Sequence, residues 1–206
     1  MCSITGSFDK LIFDKLTVIG YSRGNFSHSI TQFSSENFQI KKSFDKIISD
    51  PNKIFYLGHS QAPTGGMIKD TYRIHPAKEE GYYLYHNGIL KQSYIDLLKE
   101  EFNTRENWDT LLLLKKIVKD EFKILSEIDG SFTGVLFSNS NYIYLFRNEI
   151  TPLWIDKDFN FSSIKFENSF LIKENTIFEL NLISKNLKEI GKFTTRNNPY
   201  NFRGKN

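Results

Sequence analysis

The sequence predicts an α+β domain in which antiparallel sheets pack together and helices cover the outside. Short apolar runs separated by polar turns dominate the chain, whereas amphipathic helical spacing occurs in separate blocks. Strands and helices do not alternate regularly, so a parallel sheet is not expected. With 206 residues and 39% apolar content, the chain can bury one sizeable core.

The period of the apolar residues places the individual elements. Helical spacing predicts helices at residues 9–19, 43–49, 93–102 and 110–119. Apolar runs bounded by turn residues predict strands at residues 3–8, 28–33, 37–41, 53–57, 82–85, 125–128, 131–138, 142–147, 153–155, 163–166, 169–172, 176–181 and 187–190. Residues 107–109 form a capping region for the last helix, and the helix at 43–49 should end before Pro51. The strands from 125 to 155 are expected to form a meander.

Two of these strands run into polar segments that contain glycine. The segment GHSQAPTGG follows the strand at 53–57, and HNG follows the strand at 82–85. Rigid scaffolds often present their chemistry on loops, so we expect a functional site at these strand ends.

Cys2 is the only cysteine of the chain and directly follows Met1. Removal of Met1 would leave a thiol and a free α-amino group on the same residue. An α-amino group titrates near about pH 7.7–8.0, so it can take the thiol proton as a general base. The thiolate is the attacking form of cysteine, and an N-terminal amine can activate such a nucleophile. The sequence therefore predicts a nucleophile at Cys2; the other interpretation is an ordinary small residue near the start.

Composition limits the classes of protein to consider. A single cysteine excludes internal disulfides and multi-cysteine zinc sites, which fits a reducing cytoplasm. No apolar run reaches the about 18–20 residues of a membrane helix. The net charge is +3, of which residues 190–206 contribute +4, so residues 1–189 carry −1 and do not suggest nucleic-acid binding. We divide the chain into a domain at 1–189 and a basic tail at 190–206, which either docks onto a partner or is a frayed end.

Motifs along the chain occur in an order that matches a known family. In sequence they are MCSITG, RGNFS, GHSQAPTGG, HNG, WDT, DGSFTGVLF and FRNEITPLW. From Cys2 to about residue 182, the chain resembles the class II glutamine amidotransferase domain, a branch of the N-terminal nucleophile hydrolases. The resemblance implies a four-layer αββα sandwich and hydrolysis of the glutamine side-chain amide through a γ-glutamyl thioester on Cys2. The ammonia released would pass to a second active site.

The resemblance also implies roles for individual residues. Asn87 and Gly88 would form the oxyanion hole, although Asn-Gly is also a leading sequence for a type I′ turn. Asp109 would bind the α-ammonium of glutamine, or it could cap the helix that follows. Arg23 would pack beside the nucleophile; the other interpretation is a solvated loop cation.

Gln61 departs from the family pattern. The family usually has arginine at this position, where it holds the α-carboxylate of glutamine, and an amide makes weaker uncharged bonds. Either another cation, such as Arg73 or Arg23, compensates, or the substrate is an amide other than free glutamine. Thr64 and His59 keep their family positions and could line the pocket, although His59 could instead be a structural histidine at a strand end.

No metal, nucleotide or other cofactor is expected, because the histidines lack ligand spacing and Gly65–Gly66 lacks the lysine of a phosphate loop. The chain ends about twenty residues beyond the resemblance, so we expect a separate synthase subunit to use the ammonia. Glutamine is the expected small-molecule substrate, and neither nucleic acid nor membrane is an expected partner. Two alternatives remain open: an N-terminal cysteine amidase acting on another amide, and a non-catalytic binding subunit.

Overall fold

The computed structural model describes residues 2–62 and 69–195. Helices are α1 (Lys10–Gly20), α2 (Gln92–Glu101) and α3 (Asp109–Asp120), with 3₁₀ helices at Thr71–Arg73 and Glu121–Ser126. Strands are β1 (Ser3–Ser7), β2 (Ser27–Phe33), β3 (Phe38–Ser43), β4 (Phe55–Gln61), β5 (Ala77–Glu79), β6 (Tyr82–Leu90), β7 (Gly130–Phe137), β8 (Tyr142–Arg147), β9 (Trp154–Ile155), β10 (Phe161–Ser162), β11 (Phe170–Leu171), β12 (Thr176–Asn181) and β13 (Asn186–Lys192).

The strands form two antiparallel sheets that pack face to face. The first has seven strands in the order β11-β9-β10-β1-β4-β2-β3, and the second has six in the order β13-β12-β8-β7-β6-β5. Apolar side chains from both sheets, among them Ile4, Leu57, Val135 and Leu145, are fully buried between them. Helix α1 covers the first sheet, and α2 and α3 cover the second, which confirms the four-layer αββα prediction.

Helix α1 lies on the first sheet where its sequence predicts it. Its N-cap is Asp9, whose side chain accepts a hydrogen bond from the Ile12 backbone amide at 3.0 Å. Phe13 is fully buried against the sheet, and a Cβ on Gly58 of β4 would lie 2.9 Å from its ring. The glycine therefore lets the helix approach closely.

Several sequence-based predictions are wrong in detail. The helix expected at 43–49 is absent, since Ser43 ends β3 and its hydroxyl accepts a hydrogen bond from the Asp45 amide, which favours a local turn instead. No strand forms at 125–128: residues 125 and 126 end a 3₁₀ helix, and residues 127 and 128 follow it. Leu125 and Ile128 are buried under α3, and the apolar period alone does not distinguish such a segment from a strand. The meander is limited to β7 and β8, since β9 joins the other sheet. The strand expected at 163–166 lies at Phe161–Ser162.

The expected loops at 58–61 and 86–88 are strand residues. Strand β4 extends to Gln61, and β6 continues through HNG to Leu90, because both find antiparallel partners there. The residues at 58–61 and 86–88 are therefore strand residues, and strands hold side chains more rigidly than loops do.

The expected boundary between the domain at 1–189 and the tail at 190–206 falls inside a strand. Strand β13 crosses residue 190, and Phe193 is buried against the second sheet. The tail from residue 196 lies outside the described residues. Within the described ranges, no helix combines the length and the apolar composition needed to cross a membrane.

Candidate active site

A cavity of about 490 Å³ opens where β1, β4, β6 and the start of α3 come together. This volume is in the usual range for small-molecule sites, about 300–1,000 Å³. Four residues at the family's motif positions line the cavity: Cys2, Gln61, Gly88 and Asp109. They come from four separate parts of the chain, so the fold alone brings them together.

Cys2 lies immediately before β1, at the edge of this cavity. The next residue, Ser3, pairs with Ser60 in β4, and this pairing brings Cys2 close to Ala62. The Cys2 thiol donates a hydrogen bond to the Ala62 carbonyl, with 3.6 Å between sulfur and oxygen. Burial raises the pKa of the thiol, the negative charge of Asp109 raises it further, and the Arg23 guanidinium opposes both. The resting form is therefore the thiol, and an attack by Cys2 needs a nearby base.

Arg23 follows α1 and points inward. Its Nη1 donates to the Ser163 carbonyl at 2.8 Å, and its burial lowers the pKa of the guanidinium. The interpretation of Arg23 as a solvated loop cation is therefore wrong.

Ser163 is a residue that sequence reasoning missed. Its hydroxyl accepts hydrogen bonds from the Ile4 amide at 3.0 Å and from Asn87 Nδ2 at 3.2 Å. With its carbonyl bound to Arg23, Ser163 joins the strand of Cys2 to Asn87 in the facing sheet. Ser163 belongs to a Ser-Ser pair between Phe161 and Ile164, which forms no motif. Its partners are distant in sequence, so no signal in the chain could have indicated it.

Asn87 and Gly88 lie in the middle of β6, where they pair with Thr133 and Phe132. The turn interpretation is therefore wrong. Successive side chains of a strand point to opposite faces, so buried Asn87 points toward the first sheet, as Tyr85 does. Gly88 has φ +154°, and a Cβ there would lie 1.9 Å from the Ser131 carbonyl oxygen, so only glycine fits.

Replacing Gly88 with alanine is expected to lower the free energy of unfolding by about 2–4 kcal/mol, because β6 and β7 must separate locally. Denaturant unfolding followed by circular dichroism measures this change. Gly81→Ala is the matched control: its φ is +82°, but nothing lies within 4 Å of the added Cβ. We expect only about 1–2 kcal/mol there. Equal losses in the two variants would show that the close approach at Gly88 has no energetic weight.

Asp109 is the first residue of α3, and Trp108 is the N-cap. The interpretation of Asp109 as the capping residue is therefore wrong. One carboxylate oxygen accepts from the Thr110 amide at 2.7 Å, and the other lies 4.0 Å from His86 Nδ1. The carboxylate is thus held in a fixed orientation at the cavity wall, where it can bind a cation.

Gln61 ends β4, and its Oε1 accepts a hydrogen bond from the Ser27 hydroxyl at 2.8 Å. The side chain is neutral and already oriented by this contact. Thr64 lies outside the described residues.

His59 belongs to a group of three buried histidines at the cavity, together with His75 and His86. Its Nε2 donates to the His86 carbonyl at 3.3 Å, and its ring stacks on His75 at 4.0 Å between centroids. His75 Nε2 and His86 Nδ1 both contact the Thr110 hydroxyl, at 3.0 and 3.2 Å. His75 and His86 line the cavity, whereas His59 lies behind them.

Acid is expected to destabilise this histidine cluster. Burial lowers the pKa of His59 from 6.5 to about 3, and it lowers the pKa of His75 well below 6.5. The unfolded chain therefore binds protons below about pH 6.5 that the folded chain does not, so stability falls as the pH drops from 6.5 toward 3.

His59→Phe should reduce the pH slope of the free energy of unfolding by about 1.4 kcal/mol per pH unit near pH 5. Urea unfolding at several pH values gives both slopes, and the carboxylates common to both proteins cancel in the comparison. Identical slopes would show that His59 does not resist protonation in the folded state.

Comparisons with known proteins agree with the fold. No protein-family model matches the sequence, and no curated protein matches it. Among solved structures, glutamine phosphoribosylpyrophosphate amidotransferase from B. subtilis, complexed with ADP and GMP, aligns with TM-score 0.70 and 15% identity. The alignment covers 94% of this chain and 49% of that one, so this chain spans about half of that protein.

A glutamine aminotransferase class-II domain protein from Silicibacter pomeroyi aligns with TM-score 0.52 and 12% identity, over 94% of this chain and 99% of its own. At these identities the comparisons establish the fold. This chain shares its αββα fold with both proteins, as the resemblance implied.

Proposed function

We propose that this chain is a glutaminase of the class II amidotransferase type, which hydrolyses the side-chain amide of glutamine. The observation that carries this proposal is the shared cavity of Cys2, Gly88 and Asp109, with Asn87 tied to the strand of Cys2 through Ser163. These residues supply a thiol, donors for an oxyanion and a carboxylate for an ammonium group.

The reaction begins with Cys2 as the N-terminal residue, after removal of Met1. Its α-amine takes the thiol proton, which is needed because burial keeps the thiol protonated. The sulfur then attacks the carboxamide carbon, and negative charge develops on the amide oxygen. The Asn87 side-chain amide and the Gly88 backbone amide donate hydrogen bonds to that oxygen.

Collapse of this intermediate breaks the C–N bond. The leaving nitrogen takes the proton held by the α-amine and departs as ammonia, so a γ-glutamyl thioester remains on Cys2. Water, deprotonated by the same amine, attacks the thioester carbonyl, and glutamate and the free thiol are formed. Throughout, Asp109 holds the substrate α-ammonium by charge.

The direct test is to incubate the protein with glutamine and quantify glutamate and ammonia, after intact mass has shown that Met1 is absent. Rapid acid quenching followed by mass spectrometry should detect the γ-glutamyl adduct on Cys2. Absence of both products and adduct, with Cys2 shown to be N-terminal and unmodified, would overturn the proposal.

We further propose that a separate synthase subunit consumes the ammonia. Support comes from the B. subtilis amidotransferase, in which the part that aligns with this chain makes up about half of the polypeptide and the other half is a further part of that protein. The test is to purify the chain with its native binding partner and to ask whether the complex makes an aminated product from glutamine. If glutamine supports no amination while added ammonia does, this chain is not the ammonia donor.

A further inference from the structure

The cavity contains charged groups of both signs, which suits a zwitterionic ligand. Asp109 and Asp70 supply negative charge, and Arg73 and Lys99 are the cations among the described lining residues. Residues 63–68, which the structure does not describe, contain no lysine or arginine. Among the described lining residues, these two cations are the candidates for binding the carboxylate of an amino-acid ligand that is held at Asp109 through its ammonium group.

Arg73 is held against the chain segment that leads into Asp109. Its guanidinium donates to Asn107 Oδ1, two positions before Asp109 in the chain. Yet within the described residues the ion pair of Arg73 is with Glu106, at 3.8 Å, and not with Asp109. Arg73 and Asp109 thus lie on neighbouring parts of one cavity wall and do not form an ion pair with each other.

Glu106 does not form a close ion pair with Arg73. One of its carboxylate oxygens accepts from the backbone amides of Asn107 and Trp108, at 2.8 and 2.9 Å, and the other accepts from Tyr72. Its 3.8 Å approach to Arg73 is longer than a hydrogen bond. The Arg73 side chain is 45% exposed, so donors of its planar fork can reach a ligand.

The other polar candidates fit a carboxylate less well. Lys99 lies 3.6 Å from Asp96 and carries a compact charge without the fork geometry. Arg23 uses Nη1 for the Ser163 carbonyl and is not among the lining residues. Gln61 is neutral.

We infer that Arg73 binds the α-carboxylate of the amide substrate while Asp109 binds its α-ammonium group. The inference rests on the proposed glutaminase function and assigns recognition of the free α-carboxylate to a residue outside the motif position that Gln61 occupies. Arg73 is thus the residue that distinguishes free glutamine from glutamine whose carboxyl end is blocked, because only the free acid offers two anionic oxygens to the fork.

The test compares glutamine with glutamine α-amide, in which the carboxylate is replaced by a neutral group of similar size. Arg73→Gln should lower kcat/KM for glutamine by about 10- to 100-fold, mainly through KM, and leave kcat/KM for the α-amide essentially unchanged. Arg73→Lys should fall between Arg73→Gln and the wild type, because it keeps the charge but loses the fork. The control is Arg105→Gln, an exposed cation of the same loop that does not line the cavity and should change neither value.

Binding to the Cys2→Ala protein separates this inference from the proposed function. Calorimetry should show glutamine binding that weakens by about 10- to 100-fold when Arg73→Gln is added, with no change for the α-amide. If this pattern is found but the wild type does not turn over glutamine, the glutaminase proposal fails and the carboxylate site stands. Equal losses for both ligands, no loss for either, a wild-type preference for the α-amide, or no binding of glutamine would each overturn the assignment of Arg73.

Discussion

Cys2→Ala is expected to reduce glutamate release from glutamine by at least about 10³-fold, and to abolish the γ-glutamyl adduct. No other described side chain of the cavity offers a thiol, and loss of the nucleophile removes the covalent route altogether. The measurement is initial-rate glutamate formation at saturating glutamine, together with intact mass after acid quenching. Because the Cys2 side chain is only partly buried, the variant should keep the wild-type melting temperature.

Cys2→Ser serves as the matched variant. It retains an N-terminal nucleophile next to the same α-amine, but a hydroxyl is a much weaker attacking group, so we expect slow residual turnover. If Cys2→Ala remained as active as the wild type, the amide would be hydrolysed by another group and the proposed mechanism would be wrong.

Asn87→Ala is expected to lower kcat by about 10²- to 10³-fold while KM changes little. An oxyanion donor acts on charge that develops only in the transition state, so its loss appears in kcat. Steady-state kinetics with glutamine provides both constants. The variant also leaves the Ser163 hydroxyl without one donor, so its effect on positioning must be measured separately.

Ser163→Ala makes that separation. This variant loses the hydrogen bonds to Ile4 and Asn87 but keeps the Asn87 amide in the site. We expect a smaller fall in kcat, on the order of 10-fold, from looser positioning. If Ser163→Ala lowered kcat as much as Asn87→Ala, Asn87 would act by holding Ser163 and not as an oxyanion donor.

Much of the architecture follows from local patterns in the sequence. The helical spacing that starts at Asp9 predicts α1, and the apolar runs at residues 28–33 and 37–41 predict β2 and β3; all three elements are present. Two of the failures share a cause. The buried run around Leu125 packs as a 3₁₀ helix under α3, and the HNG segment is drawn into β6 by pairing with β7, so tertiary contacts override the local preference.

The candidate site also depends partly on local sequence and partly on tertiary packing. The sequence alone determines which chemical groups are available: a cysteine at position 2, an Asn-Gly pair and Asp109. These depend only on residue type and on order along the chain. The contacts that assemble them, Ser163 between Ile4 and Asn87 and Arg73 on Asn107, join residues far apart in sequence. Only the packing of the two sheets and α3 decides such contacts, since they depend on which strand faces which and not on any local period.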